Sequence, residues 1–134
     1  MNETIEFDIN LAISGDAKIA VYIDDAEMKG IKFSHTLDFG NHVLTIVHSG
    51  KTNSTPNQHV IINSITIDGI DLRDMLWTDS VCIPQYPEPW ASEQRAQGIE
   101  LEQRVVGETF LGHNCEWQLP FTSPFYECVM NHVR

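Results

Sequence analysis

The chain has 134 residues, 42% of them hydrophobic, and carries 8 Lys and Arg against 19 Asp and Glu, a formal charge of −11. Such a chain is long enough to bury a core within one domain and too apolar to be disordered. The charge argues against a nucleic-acid partner, whose affinity would come from basic side chains displacing counterions, and no run approaches the roughly 18 apolar residues of a membrane span.

Met1 to Asp8 alternate charge with apolarity, without the basic start or apolar block of a signal peptide, so synthesis and folding in a cytoplasm are expected. Cys82, Cys115 and Cys128 are widely spaced, form no Cys-x-x-Cys pair and have no zinc-ligand spacing with the six histidines. They read as three thiols, mostly buried, in a reducing compartment.

Ile5, Phe7, Ile9, Leu11 and Ile13 alternate with polar or small residues, which places all five on one face of a strand. Ser14-Gly15-Asp16 turns the chain into a second strand with Ile19, Val21 and Ile23 inward. Residues 25–30 read as a polar connection. A third strand follows, with Ile31, Phe33, His35, Leu37 and Phe39 on its inner face. After a turn at 38–41, residues 42–48 form a β-branched-rich strand, and 49–58 are a polar loop. The fifth strand runs from about His59 to Asp68. Its apolar face switches from Val60 and Ile62 to Ile65 and Ile67, which predicts a bulge near Asn63-Ser64.

After Trp77 the texture changes. Residues 78–98 hold Pro84, Pro87 and Pro89, with Tyr86 among them and Trp90 directly after, and read as a long loop packed on the sandwich. Strands are expected near 99–106 and 115–121, the second with Cys115, Trp117, Leu119 and Phe121 on one face. Ser123-Pro124 reads as N-cap and first residue of a short helix over 124–132, with Phe125, Cys128 and Val129 inward. Many short strands and one short C-terminal helix predict an all-β, antiparallel β-sandwich forming a single domain over 1–134.

Asp68, Asp71 and Asp74 recur every three residues and could supply oxygen ligands to calcium. They lack the closely placed acids and terminal Glu of an EF-hand loop, and on a solvated edge the same residues make turns. Asp24-Asp25 reads as turn chemistry. His42 and His48 share a strand face about 20 Å apart, too far for one metal, and His35 reads as a hydrogen-bonded core histidine. There is no Gly-x-Ser-x-Gly, no phosphate-cradling glycine loop and no cysteine or serine in an activating context. Glu100 and Glu102 share a face of their expected strand but read as a solvated edge. The chain is therefore expected not to be an enzyme. Trp77, Tyr86 and Trp90 form the candidate binding surface, since aromatic faces stack on C–H-rich sugar faces. The competing reading is that these rings staple the loop to the sandwich.

Lys-Ile-Ala-Val-Tyr-Ile-Asp (18–24), Gly-Asn-His-Val-Leu-Thr-Ile (40–46), Gly-Lys-Thr-Asn (50–53) and Val-Ile-Ile-Asn-Ser-Ile-Thr-Ile-Asp-Gly (60–69) together resemble the core of calcium-dependent, xylan-binding carbohydrate-binding modules. That resemblance implies a jelly-roll sandwich. Where the family pattern has acidic residues this chain has Ser54 and Asn57-Gln58, so calcium ligation of the family type does not carry over. The whole chain is also similar to small tailed-bacteriophage proteins with a Tyr-Pro-x-Pro-Trp segment and a closing Leu-Gly-x-Asn-x-x-Trp-x-Leu-x-Phe-x-x-Pro stretch. Here these are residues 86–90 and Leu111-Gly112-His113-Asn114, Trp117, Leu119, Phe121 and Pro124. The resemblance implies a phage-encoded, non-catalytic module made in the host cytoplasm and carried on the virion as a decoration, fibre or adhesion component. The alternatives are a soluble carbohydrate-binding protein and an intracellular phage protein that binds a host protein. Expected partners are other virion proteins or a host-surface glycan, with self-association left open. No cofactor is expected, calcium being the one ion considered.

Overall fold

The computed structural model describes residues 1–52, 54, 55, 57–86 and 88–132. β1 (Asn2–Ser14), β4 (Lys32–Asp38), β6 (His59–Ile67), β7 (Ile70–Asp71) and β10 (Phe110–Leu111) form one antiparallel sheet, ordered β10-β6-β1-β4 with β7 also on β6. β2 (Lys18–Ile23), β3 (Ala26–Met28), β5 (Gly40–Ser49), β8 (Val81–Pro84), β9 (Val105–Val106) and β11 (Cys115–Ser123) form the other, ordered β3-β2-β5-β11-β8-β9. Between the two lies a core of Ile5, Phe7, Ile9, Val21, Ile23, Leu44, Ile46, Ile65, Ile67, Trp117 and Leu119, among others. This is the expected antiparallel sandwich. The C-terminal helix α3 (Phe125–His132) is joined by two further short helices, α1 (Arg73–Thr78) and α2 (Trp90–Ala96).

The period of two in β1 buries Ile5, Phe7 and Ile9, but Leu11 is only half-buried and Ile13 is exposed. Ile13 lies opposite the buried Val60, one residue from the end of the strand. The third expected strand is β4. Leu37 is buried, Phe33 and His35 are half-buried, and Ile31 and Phe39 are exposed, because β4 is the sheet's edge. The bulge falls where the apolar face switches. Asn10 pairs with Ser64 and Leu11 with Ile62, so Asn63 is the extra residue, and Val60, Ile62, Ile65 and Ile67 all reach the core.

The stretch 78–98 is not a structureless loop. β8 enters the second sheet between β11 and β9, with Cys115 opposite Pro84. α2 begins directly after Pro89, where the missing N–H costs nothing, and the Glu88 carboxylate accepts from the Ser92 hydroxyl at 2.6 Å and its N–H at 3.3 Å. Pro87 lies outside the described residues, as do Asn53 and Pro56 of the polar loop. Residues 25–30 contain the short β3, which pairs back on β2. Residues 99–104 form no strand, so Glu100 and Glu102 do not share a strand face. Only Val105 and Val106 pair, with β8. At α3 the Ser123 hydroxyl donates to Glu3 Oε1 at 2.8 Å, and the same oxygen accepts from the Phe125 N–H at 2.7 Å. A carboxylate from β1, not Ser123, therefore caps the helix.

Candidate functional site: an aromatic cluster at the sandwich edge

The segment after β8 carries Tyr86, and its neighbour Gln85 donates its N–H to the Asn114 carbonyl at 2.7 Å. The Tyr86 hydroxyl donates to the Glu102 carbonyl at 2.8 Å, which fixes the ring. Trp90, the first residue of α2, stands 6.0 Å from that ring at a 41° tilt, and His113 stands 5.3 Å from it edge-on at 69°. α2 is anchored by Ala91, which is 1% exposed, whereas Trp90 keeps 39% of its surface in solvent.

The turn that presents His113 is tied to the loop after β5. Lys51 N–H donates to Asn114 Oδ1 at 2.9 Å, Asn114 Nδ2 returns a bond to the Lys51 carbonyl at 3.0 Å, and the Lys51 ammonium donates to the Gly112 carbonyl. Beneath it, buried His48 donates from Nδ1 to the His113 carbonyl at 2.8 Å and accepts at Nε2 from Gln58 Nε2 at 3.2 Å. These two contacts together call for one ring proton. Burial pushes its pKa below the ordinary histidine value, and burial with the Lys51 charge does the same to His113. The other Gln58 amide atom, Oε1, is buried and has no hydrogen-bond partner among the described residues.

Tyr86 and His113 line a cavity of about 250 Å³ at the mouth between the sheets, with Phe110, Glu108, Cys82 and Cys115 among the other walls. Phe110 is itself exposed and stacks on His59 at 4.9 Å. The Cys82 and Cys115 thiols are buried and hydrogen-bonded to each other. Cys115 is pushed up by that bond and by burial, while Cys82 is held down because its thiolate accepts from Cys115. Cys128, on α3, is half-buried.

Of the three aromatic residues singled out from the sequence, Tyr86 and Trp90 meet and Trp77 does not join them. Trp77 lies on α1, whose other face buries Met75 and Leu76, and precedes β8, whereas Tyr86 follows it. It is 69% exposed, and its carbonyl is covered by Gly107, where a side chain would collide. His113, His48 and Gln58 are each named from the sequence but given no part in this site there, since pairing of β5 with β11 is what brings residues 48 and 113 together. The three aspartates do not converge. Asp68, in a left-handed turn at φ +51, accepts from Glu6 N–H at 2.8 Å. Asp71 accepts from Arg73 N–H at 3.0 Å, and Asp74 sits in the first turn of α1. Among the described residues no three His, Cys, Asp or Glu side chains are grouped to hold a metal ion.

No family model matches the chain, and neither a curated protein nor a solved structure matches it.

Proposed function

We propose that this chain is a non-catalytic recognition module carried on a phage particle, an adhesion component that holds a host-surface glycan against Tyr86, Trp90 and His113. The observation that carries the reading is the set of three rings, with Trp90 tilted and His113 edge-on to Tyr86, of which Tyr86 and His113 line a cavity of about 250 Å³. Aromatic faces take the C–H side of a sugar ring, and the volume suits one monosaccharide unit more than a long chain. The support is rigid. The Tyr86 hydroxyl, the Gln85 N–H and the 112–114 turn are each held by a hydrogen bond from another element, so little entropy is lost when a ligand docks. The Glu108 carboxylate and backbone carbonyls at the rim can accept from sugar hydroxyls. The phage assignment rests on the closing motif and the Tyr-Pro-x-Pro-Trp segment.

A second surface favours contact with other virion proteins. Trp77 and Val106 are 69% and 64% exposed, and Gly107 brings the ends of α1 and β9 together. Exposed apolar residues of this size mark partner contacts when they adjoin. A glycan array probed with the purified protein tests the glycan reading, and mass spectrometry of purified particles tests virion membership. Glycan retention lost on Tyr86→Ala supports the site. Absence of retention by the unaltered protein overturns the glycan reading, and absence from the particle overturns the adhesion role.

A further inference from the structure

The chain crosses from one sheet to the other at Phe39, between β4 and β5, and His42 closes that corner. His42 Nδ1 lies 2.7 Å from Asp24 Oδ2, and its Nε2 lies 2.6 Å from the Asp38 carbonyl oxygen. The other Asp24 oxygen accepts from Val43 N–H at 3.0 Å, and the Asp24 N–H donates to the Val43 carbonyl at 2.8 Å. A carbonyl and a carboxylate are acceptors only, so both ring nitrogens must donate. A neutral imidazole has one donor. On it, one of these short contacts would set a nitrogen lone pair against an oxygen lone pair.

We infer that His42 is a proton-loaded clamp, holding a second ring proton as a structural ligand that joins the end of β4, the β2–β3 turn and the start of β5. Whichever atom holds the proton shared with Asp24, the cluster binds one proton more than a neutral ring beside a carboxylate. The side chain is largely covered, at 12% exposure, with the Phe121 ring 5.8 Å away. It walls a cavity of about 420 Å³ with Asn41, Pro120, Thr122 and Cys128. The titratable groups facing it are the Asp24 carboxylate from the β2–β3 turn, the Asp38 carboxylate from β4 and the Cys128 thiol from α3. β11 contributes only Pro120, Phe121 and Thr122.

Burial alone would lower the His42 pKa, but the hydrogen bonds to Asp24 and Asp38 and their charges outweigh it, and the net shift is upward from 6.5. A folded value above the unfolded one gives stability that is fully present below the unfolded pKa. It is lost as pH rises through the folded value. The corner is therefore locked on the acid side and released on alkalinisation.

Ring-nitrogen NMR of the full chain, followed from mildly acidic to alkaline pH, tests this. At pH 6.5, the ordinary histidine value, both His42 nitrogens should be mostly protonated, and the amides of Asp24, Asp38 and Val43 should move with the same midpoint at higher pH. Asp24→Asn keeps a residue that tolerates the left-handed turn at φ +54 and should lower that midpoint. In His42→Gln the amide transition should vanish, and the gap in melting temperature from the unaltered protein should be widest at acidic pH and close above the midpoint. A midpoint at or below 6.5 in the unaltered protein, or corner amides that do not follow the ring, overturns the clamp without recourse to any variant.

Discussion

Replacing Trp90 with alanine should separate the proposed recognition role from folding. Truncating a fully buried Trp costs about 3–5 kcal/mol, but Trp90 retains 39% exposure. Burying a large apolar side chain is worth about 1.5–3 kcal/mol, so a little over half of that, about 1–2 kcal/mol, is at stake. The ring pair with Tyr86 adds about 0.5–1 kcal/mol, and the better helix propensity of alanine at the start of α2 returns about 0.5 kcal/mol. The net loss of about 1–2 kcal/mol corresponds to a fall of about 3–8 °C in Tm for a domain of this size. Glycan retention should suffer more, since a central aromatic anchor is worth about 2 kcal/mol or more, roughly thirty-fold. Trp117 is the internal standard. It is fully buried and its indole N–H donates to the Glu108 carbonyl at 3.0 Å, so Trp117→Ala loses the whole transfer term and orphans an acceptor. A Trp90→Ala melt as low as that of Trp117→Ala, or glycan retention within a few-fold of the unaltered protein, would refute the reasoning.

Deleting Asn63 should cost about 3–6 kcal/mol in a urea titration, because either Val60 and Ile62 or Ile65 and Ile67 must turn to solvent. Asn63→Ala, which loses only an exposed bond to Asn10 at 3.3 Å, should be near neutral, and a deletion variant with an unaltered midpoint sinks the bulge argument. Millimolar calcium added after chelation should leave the melt unchanged. Asp68 and Asp71 are already committed to separate backbone N–H groups, and a clear rise in Tm would show a site that these side chains do not reveal. Acidification below 6.5 should weaken the fold through His48, whose folded pKa lies below its unfolded value, and His48→Gln should flatten that acid limb. An unchanged slope in that variant would place the loss elsewhere.

The strands that could be read from the chain are those with one buried face and one wet face. β1, β6 and β11 alternate because the core takes every second residue, and even the Asn63 bulge leaves a trace as a change of phase. α2 was hidden because Pro84, Pro87 and Pro89 outweigh the helix formers that follow Trp90. Proline just before the first helical turn is compatible with a helix, and Glu88 completes the start. The site was legible only in its exposed rings. Tyr86 and Trp90 announce themselves by type and by their place among prolines, but the groups that hold them are ordinary polar residues from distant strands. Trp77 has the same sequence signature as Trp90, yet α1 and β8 carry it away from the cluster.

The two histidines of β5 show why residue type alone could not assign a role. His42 and His48 occupy the same face of one strand, yet His42 lies against the Asp24 carboxylate and the Asp38 carbonyl, whereas His48 is buried against the His113 carbonyl and the Gln58 amide. The carboxylates beside His42 and the burial of His48 set the sign of each pH response. His48 supports the turn that presents His113, so protonating it on the acid side strains the end of the sandwich that carries the proposed recognition site. His42 holds the sheet-crossing corner at the other end of the strand, so deprotonating it on the alkaline side loosens a part that bears no aromatic platform. Glycan retention should therefore fall with the His48 limb and be insensitive to the His42 limb, although both report on the same strand.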